Sequence, residues 1–210
     1  MTTLLHVAVS PLNQESFSAR IAAAFVDCWK EAHPDGDVDM FHLWSDPLPA
    51  FDAVGASWKI KAMYGMAADA EEQALFDRVK VVADRFLAAD KYLFSVPMWN
   101  FHIPYPMKHF FDVIVQPGVT FAVSETGTTG LVPSDRPVQL VLSRGSPGYG
   151  PGGMFDGWDH QEPYLRGILK FIGLTDVRSI VIEGTAYGPQ VADPALAKAL
   201  AEAKVAVRDF

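Results

Sequence analysis

Three short stretches combine residue types that could do chemistry: "SPLNQESFSAR" (10–20), "SVPMWNFHIPYP" (95–106) and "SRGSPGYGPGGM" (143–154). In the first, the hydroxyls of Ser10, Ser16 and Ser18 stand where a helical pattern begins. A helix N-terminus offers unpaired N–H groups and the positive end of a dipole, and serine hydroxyls add donors. Together they can hold a phosphate dianion with little help from lysine. Taken by itself, Ser16 is an ordinary N-cap. In the second stretch, the strand-like run "KYLFSV" empties into Met98, Trp99, Asn100 and Phe101. Such side chains suit the wall of a pocket for a flat ring system, with the backbone N–H groups between them as donors to its edge. The alternative is packing against a subunit partner or against residues 45–68. In the third, glycines permit close backbone approach to a flat ligand, and its plain alternative is a mobile loop.

Competing chemistry is hard to find. The six histidines (6, 33, 42, 102, 109, 160) show neither HxH nor HExxH spacing, so a metal site is not expected. GxSxG and GxxxxGK[ST] are both absent, and Cys28 falls within a helical pattern. "GYGPGG" superficially resembles GxGxxG, but it follows the fourth strand-like run and contains a proline, unlike a first strand-to-helix dinucleotide turn. His102 and His160 could serve as polar contacts, or as loop histidines without a chemical task. A chain with no plausible nucleophile, metal or acid–base pair leaves its chemistry to a cofactor, and no side chain is assigned as catalytic.

The elements that must position these stretches alternate. "LLHVAV" (4–9), "DVDMFHL" (37–43), "KYLFSV" (91–96), "PVQLVLS" (137–143) and "VRSIVIEG" (177–184) read as strands. Helical periodicity runs over 16–33, 69–89, 105–116 and 161–172, and a closing helix is expected with Asp193 as its cap and Pro194 at its first position. Residues 45–68 read as irregular and long for a connection. Near-continuous apolar strands alternating with helices imply an α/β, three-layer, doubly wound sandwich. The expected flavodoxin-like parallel sheet has five strands in the order 2-1-3-4-5, and residues 1–210 form one domain. In such sheets ligands bind outside the carboxyl ends of the strands, at the switch point, where all three stretches fall.

Composition narrows the partners. The chain is 50% hydrophobic with a net charge of −8, which argues against binding nucleic acid. No apolar run approaches the ~18 residues of a membrane span. The N-terminus lacks a basic n-region and reads as a first strand, and the lone Cys28 suits a reducing cytoplasm.

"PMWNFHIPYPMKHFFDVIVQPGVTF", "LVLSRGSPGYGPG", "KFIGLTDVRSIVIEGTAYGP" and "SPLNQESFSAR" resemble, across essentially the whole chain, the FMN-dependent NADH-azoreductases and quinone reductases. The resemblance implies FMN as cofactor and NADH or NADPH as donor. It implies phosphate contacts at Ser10, Ser16, Phe17 and Ser18. Around the isoalloxazine it implies Met98, Trp99, Asn100 and Phe101, with Ser143, Arg144, Gly145 and Ser146. It further implies a homodimer with the flavin near the subunit boundary, residues 45–68 over the flavin or in the interface, and a quinone or azo acceptor reduced by ping-pong hydride transfer. Trp99 stands where tyrosine is common, Phe17 where a polar residue is frequent, Ser146-Pro147 alter the glycine turn, and Val123 replaces a frequent aromatic. A flavodoxin-like electron carrier without NADH turnover is the alternative, kept open by the net charge. The aromatic walls and the long covering segment favour the enzyme.

Overall fold

A computed structural model describes residues 1–210. Its strands are β1 (Thr3–Ala8), β2 (Asp37–His42), β3 (Lys91–Pro97), β4 (Phe121–Ser124), β5 (Gly127–Gly130), β6 (Val138–Ser143) and β7 (Val177–Ile182). Its helices are α1 (Phe17–Ala32), α2 (Ala53–Met63), α3 (Ala70–Leu87), α4 (Tyr105–Ile114), α5 (Glu162–Ile172) and α6 (Pro189–Ala206). The five-stranded parallel sheet runs β2-β1-β3-β6-β7. With the β4–β5 hairpin set aside, this is the expected 2-1-3-4-5 order of a flavodoxin-like fold.

Strand alternation explains why both faces are covered. Leu5, Val7, Tyr92, Phe94, Leu140 and Leu142 bury against α3, α4 and α5 on one face. Leu4, Leu93, Val141, Ile180 and Ile182 bury against α1 and α6 on the other. A strand apolar on both faces cannot rest at a surface, so helices on either side are forced. The chain winds one way from β1 to β2 and the other way from β1 to β3, and the first and third strands therefore open onto a crevice at their carboxyl ends.

Two expectations are corrected, and one element appears that the sequence does not announce. Residues 45–68 are not irregular throughout, because α2 lies within them, started by Asp52, whose Oδ1 accepts the Val54 N–H at 3.0 Å. Its apolar residues are spread around the helix instead of forming one stripe, so periodicity does not reveal it. The helix is tied down by Glu72 of α3, which accepts from Ser57 Oγ and Lys61 Nζ, each at 2.6 Å, and by Trp58 stacked on Phe76 at 3.8 Å. The last helix begins at Pro189, after Gly188 at φ 83°, and Pro194 lies inside it. Both prolines fit a helix start, and the earlier one takes the first position because Gly188 turns the chain there. Finally, residues 121–130 pair as an antiparallel hairpin too short and too polar to signal itself. Val123 lies exposed on it.

Candidate functional site

The strand β3 hands its pairing onward by one residue: Met98 N–H donates to the Ser143 carbonyl at 2.7 Å. Trp99 and His102 then exchange N–H···O bonds at 2.9 and 3.0 Å. Asn100 and Phe101, between them, have φ of 47° and 69°. Two left-handed residues in succession make the two-residue reverse turn normally given to Asn-Gly. Phenylalanine at positive φ costs on the order of 1 kcal/mol. The N–H groups of Asn100 and Phe101 have no partner within the chain. The other non-glycine residue at positive φ is Asn13, in the loop after β1. Backbone strain outside glycine is thus confined to the carboxyl rim of the central strands.

That first loop leaves donors free at a helix start. Ser10 is buried, and its Oγ accepts the Leu12 N–H at 3.3 Å. Ser16 holds the N-cap position of α1 but makes no capping bond, and its Oγ pairs with the Oγ of fully buried Ser18 at 3.1 Å. The N–H groups of Phe17, Ser18 and Ala19 are consequently unpaired, and Arg20 N–H is the first to bond, to the Ser16 carbonyl. Uncapped N–H groups beside two hydroxyls suit a phosphate. The Arg20 guanidinium lies 5.7 Å over the half-buried Phe17 ring. His42 Nδ1 accepts the Trp44 N–H, so its Nε2 donates to Asn13 Oδ1 at 3.0 Å and ties the loop to β2. Beneath the loop, buried His6 shares a 2.9 Å hydrogen bond with Ser95, and burial, with the nearby His42 charge, lowers its pKa to about 4.

The third loop leaves β6 at the buried Ser143. Gly145 and Ser146 present unpaired N–H groups, and the Gly145 carbonyl accepts from Ala186 at 3.0 Å. Arg144 is 5% exposed, and its guanidinium points inward to Gln161, Glu183 and Asp159. Farther along, Gly148 adopts φ 93°, and a Cβ on Gly153 would lie 2.3 Å from the Gly148 carbonyl oxygen. This close approach folds the loop so that Trp158 and Phe155 pack on Phe101, with ring centres 4.9 and 5.8 Å away.

The register of the sheet brings the three loops together, since β1, β3 and β6 are neighbours. Sequence reasoning missed Trp44, which donates from Nε1 to the Val9 carbonyl at 2.8 Å and packs against Trp99. Missed too were Asp159, Gln161 and Glu183 around Arg144. Asp159 had a local signal: an acid three residues before Glu162 and an apolar helical run marks a helix start. Glu183 and Gln161 had none, because their partners lie far off in sequence. No three His, Cys, Asp or Glu side chains stand together so as to hold a metal ion. Rim N–H groups with aromatic walls can grip a flat heterocycle through its edge acceptors, and the α1 terminus can grip an attached phosphate.

Comparison with known proteins agrees with this fold. The family described as "Flavodoxin-like fold" matches residues 2–207. The FMN-dependent NADH:quinone oxidoreductase of Nitratidesulfovibrio vulgaris (strain DP4) is 39% identical over 211 residues, covering 100% of both chains. The FMN-dependent NADH:quinone oxidoreductase 2 of Trichormus variabilis (strain ATCC 29413 / PCC 7937) is 38% identical, covering 99% of this chain and 97% of that one. Among solved structures, the azoreductase from Bacillus anthracis str. Sterne superposes with a TM-score of 0.89 at 28% identity, over 100% of both chains. An FMN-dependent NADH-azoreductase from Bacillus anthracis str. Ames Ancestor in complex with FMN gives 0.87 at 25% identity, over 100% of this chain and 99% of that one. The chain belongs to the flavodoxin-like fold family and, within it, to the FMN-dependent NADH:quinone oxidoreductases.

Proposed function

We propose that this protein is an FMN-dependent oxidoreductase that transfers hydride from NADH (or NADPH) to quinones, reducing them by two electrons, and also to aromatic azo compounds. The observation that carries the reading is the Asn100–Phe101 turn, whose unpaired N–H groups face no partner of their own and are held there at a cost in backbone strain. Bound FMN would supply the two-electron hydride chemistry that none of the side chains offers. Everything else falls to the chain. Ser10, Ser16, Ser18 and the N–H groups that open α1, next to Phe17, hold the phosphate. Met98, Trp99, Asn100 and Phe101 hold one edge of the ring system, while Ser143, Gly145 and Ser146 hold the other. N–H donors along those edges stabilise charge that grows on reduction, and the rings of Trp99, Phe101 and Trp158 keep water from the reacting face.

One pocket serving donor and acceptor in turn gives ping-pong kinetics. A homodimer fits the exposed Ile60, Met63, Tyr64 and Met66 at the end of α2 and just beyond it, which would bury at a subunit boundary beside the flavin. No helix is long and apolar enough to cross a membrane, and a cytoplasmic setting suits the free Cys28. The test is anaerobic mixing of the FMN-loaded protein with NADH, followed by benzoquinone. Bleaching of the flavin band within a turnover time, its recovery with quinone, and parallel initial-rate lines are expected. A colourless protein that takes up no FMN would overturn the reading, and a loaded protein that NADH does not bleach would make it an electron carrier.

A further inference from the structure

Arg144 is charged, almost wholly buried and next to the site, yet it offers nothing to a ligand. Its backbone N–H donates to the Ile182 carbonyl at 2.8 Å, and its carbonyl accepts from Thr185 N–H and Oγ1. Nε reaches Gln161 Oε1 at 3.3 Å, Nη1 reaches Glu183 Oε1 at 3.0 Å, and Nη2 reaches Asp159 Oδ2 at 2.7 Å. Glu162 lies 3.6 Å from Nη2, and the guanidinium covers the Tyr149 ring at 5.2 Å. The planar fork therefore joins the start of α5, through Nε and Nη2, to the residue after β7, through Nη1.

Those elements lead to both turns that present unpaired N–H groups. Glu183, at the end of β7, uses its second oxygen to accept the Gly148 N–H at 3.0 Å, which fixes the far side of the 145–146 turn. Asp159 accepts the N–H groups of Gln161 and Glu162 and so starts α5. The residue between, His160, donates its N–H to the Phe101 carbonyl at 3.0 Å. Gln161 donates from Nε2 to the Val96 carbonyl at the end of β3. A path of bonded groups thus runs from Arg144 to the Gly145–Ser146 turn on one side and to the Asn100–Phe101 turn on the other.

We propose that Arg144 is a positioning residue: by bonding Gln161, Glu183 and Asp159 at once, it holds the 145–146 and 99–102 turns at a fixed separation. This rests on the flavin reading above, and it replaces the direct cofactor contact that the family resemblance implies for Arg144. Lysine keeps the charge but has no planar fork, so it cannot meet all three partners together.

The test is Arg144→Lys beside Gln161→Leu, a variant that removes one of the three guanidinium partners, and with it the bond to Val96, without changing charge. Each is titrated with FMN, and the bound-flavin visible spectrum and the exchange rates of the Trp99, His102, Gly148 and His160 amide hydrogens, whose bonds hold the two turns, are recorded. Expected are FMN binding weaker by about tenfold or more, an altered shape of the visible band, and faster exchange at both turns in the unliganded protein. Variants that lose thermal stability but keep wild-type FMN affinity, spectrum and exchange would overturn the proposal and leave Arg144 a purely structural ion cluster. Should Arg144→Lys fail to fold, Gln161→Leu decides by the same readouts. Wild-type protein that binds no FMN sinks the flavin reading alone, because amide exchange still reports whether Arg144 couples the two turns.

Discussion

His6 lies on β1 under the loop that leads into α1, and replacing it with leucine should flatten the acid limb of the protein's stability profile. The imidazole is 4% exposed, with Nε2 bonded to Ser95 and Nδ1 without a partner. Burial and the neighbouring His42 hold its pKa at about 4, against 6.5 in an unfolded chain. Between those values the unfolded chain takes up a proton that the folded chain refuses. Stability present above pH 6.5 is therefore lost as the pH falls towards 4, and no further loss from this group follows below that. The full loss is about 3 kcal/mol, of which about 2 kcal/mol has occurred by a pH of about 5. Urea unfolding of wild type and His6→Leu, each at pH about 7.5 and about 5, isolates the effect. His102, whose pKa is also lowered, first by burial and then by His160, is present in both proteins and cancels, as do the carboxylates. Leucine leaves the Ser95 hydroxyl unpaired, an offset of roughly 1–2 kcal/mol that is the same at both pH values. Wild type should lose about 2 kcal/mol more than the variant on acidification. Equal losses in the two proteins would show that His6 is not held neutral, and the account of the loop's floor would fail with it. His6→Gln, which keeps a donor for Ser95, should behave as leucine does.

Phe101→Gly should unfold at higher urea than Phe101→Ala, by about 1 kcal/mol, because both lose the ring and only alanine keeps a Cβ at φ 69°. The usual order is the reverse, so a more stable alanine variant would refute the strained turn. Proline at position 100 would break the turn itself, since it holds φ near about −65° and Asn100 sits at 47°. Ser16→Asp puts a carboxylate beside the uncapped start of α1 and should weaken FMN by on the order of a hundredfold while leaving riboflavin binding nearly unchanged, as read by fluorescence titration of both. Equal weakening of the two ligands would place the phosphate elsewhere. Gly153→Ala drives a Cβ into the Gly148 carbonyl, which should free Trp158 from Phe101, shift tryptophan emission to the red and lower quinone kcat/KM by about ten- to a hundredfold. Unchanged emission and rate would mean that the loop tolerates repacking.

How much of this was legible in the sequence depended on whether the deciding interaction was local. The five sheet strands announced themselves as apolar runs such as "KYLFSV", because a strand covered on both faces needs no polar alternation. The capping box of α3, with Asp69 and Glu72, lies within four residues of chain, and the helix was found. By contrast, α2 is held by Glu72 and Phe76 of another helix and carries no stripe of its own, so its signal is tertiary. The β4–β5 hairpin depends on Gly130, where a Cβ would stand 2.2 Å from the Gly173 N, and nothing near Gly130 in sequence reveals that approach. Ser16, Ser18, Trp99, Asn100, Phe101 and Gly145 were found as candidates from their place at strand ends. Their unpaired N–H groups were not legible, since pairing depends on dihedral angles and on distant carbonyls.

A site that relies on main-chain donors, as proposed for this one, can persist while its side chains change. A backbone N–H presented at positive φ depends on the turn that holds it and only weakly on the residue that carries it. With Trp99 and Ser146-Pro147 in place, the N–H groups of Asn100, Phe101 and Gly145 are unpaired within the chain. What cannot vary freely is whatever fixes the turns: the Trp99–His102 pair of hydrogen bonds, the His160 N–H on the Phe101 carbonyl, and the Arg144 cluster behind them. Substitutions therefore divide by location. Changes at the pocket wall, such as Trp44, Trp99 or Trp158, should alter which flat acceptor is reduced and leave the flavin in place. Changes one layer behind, at Arg144, Asp159 or Gln161, should loosen the flavin itself although none of them faces it. A superposition of 0.87 at 25% identity with an FMN complex is what a binding site written in the backbone would allow.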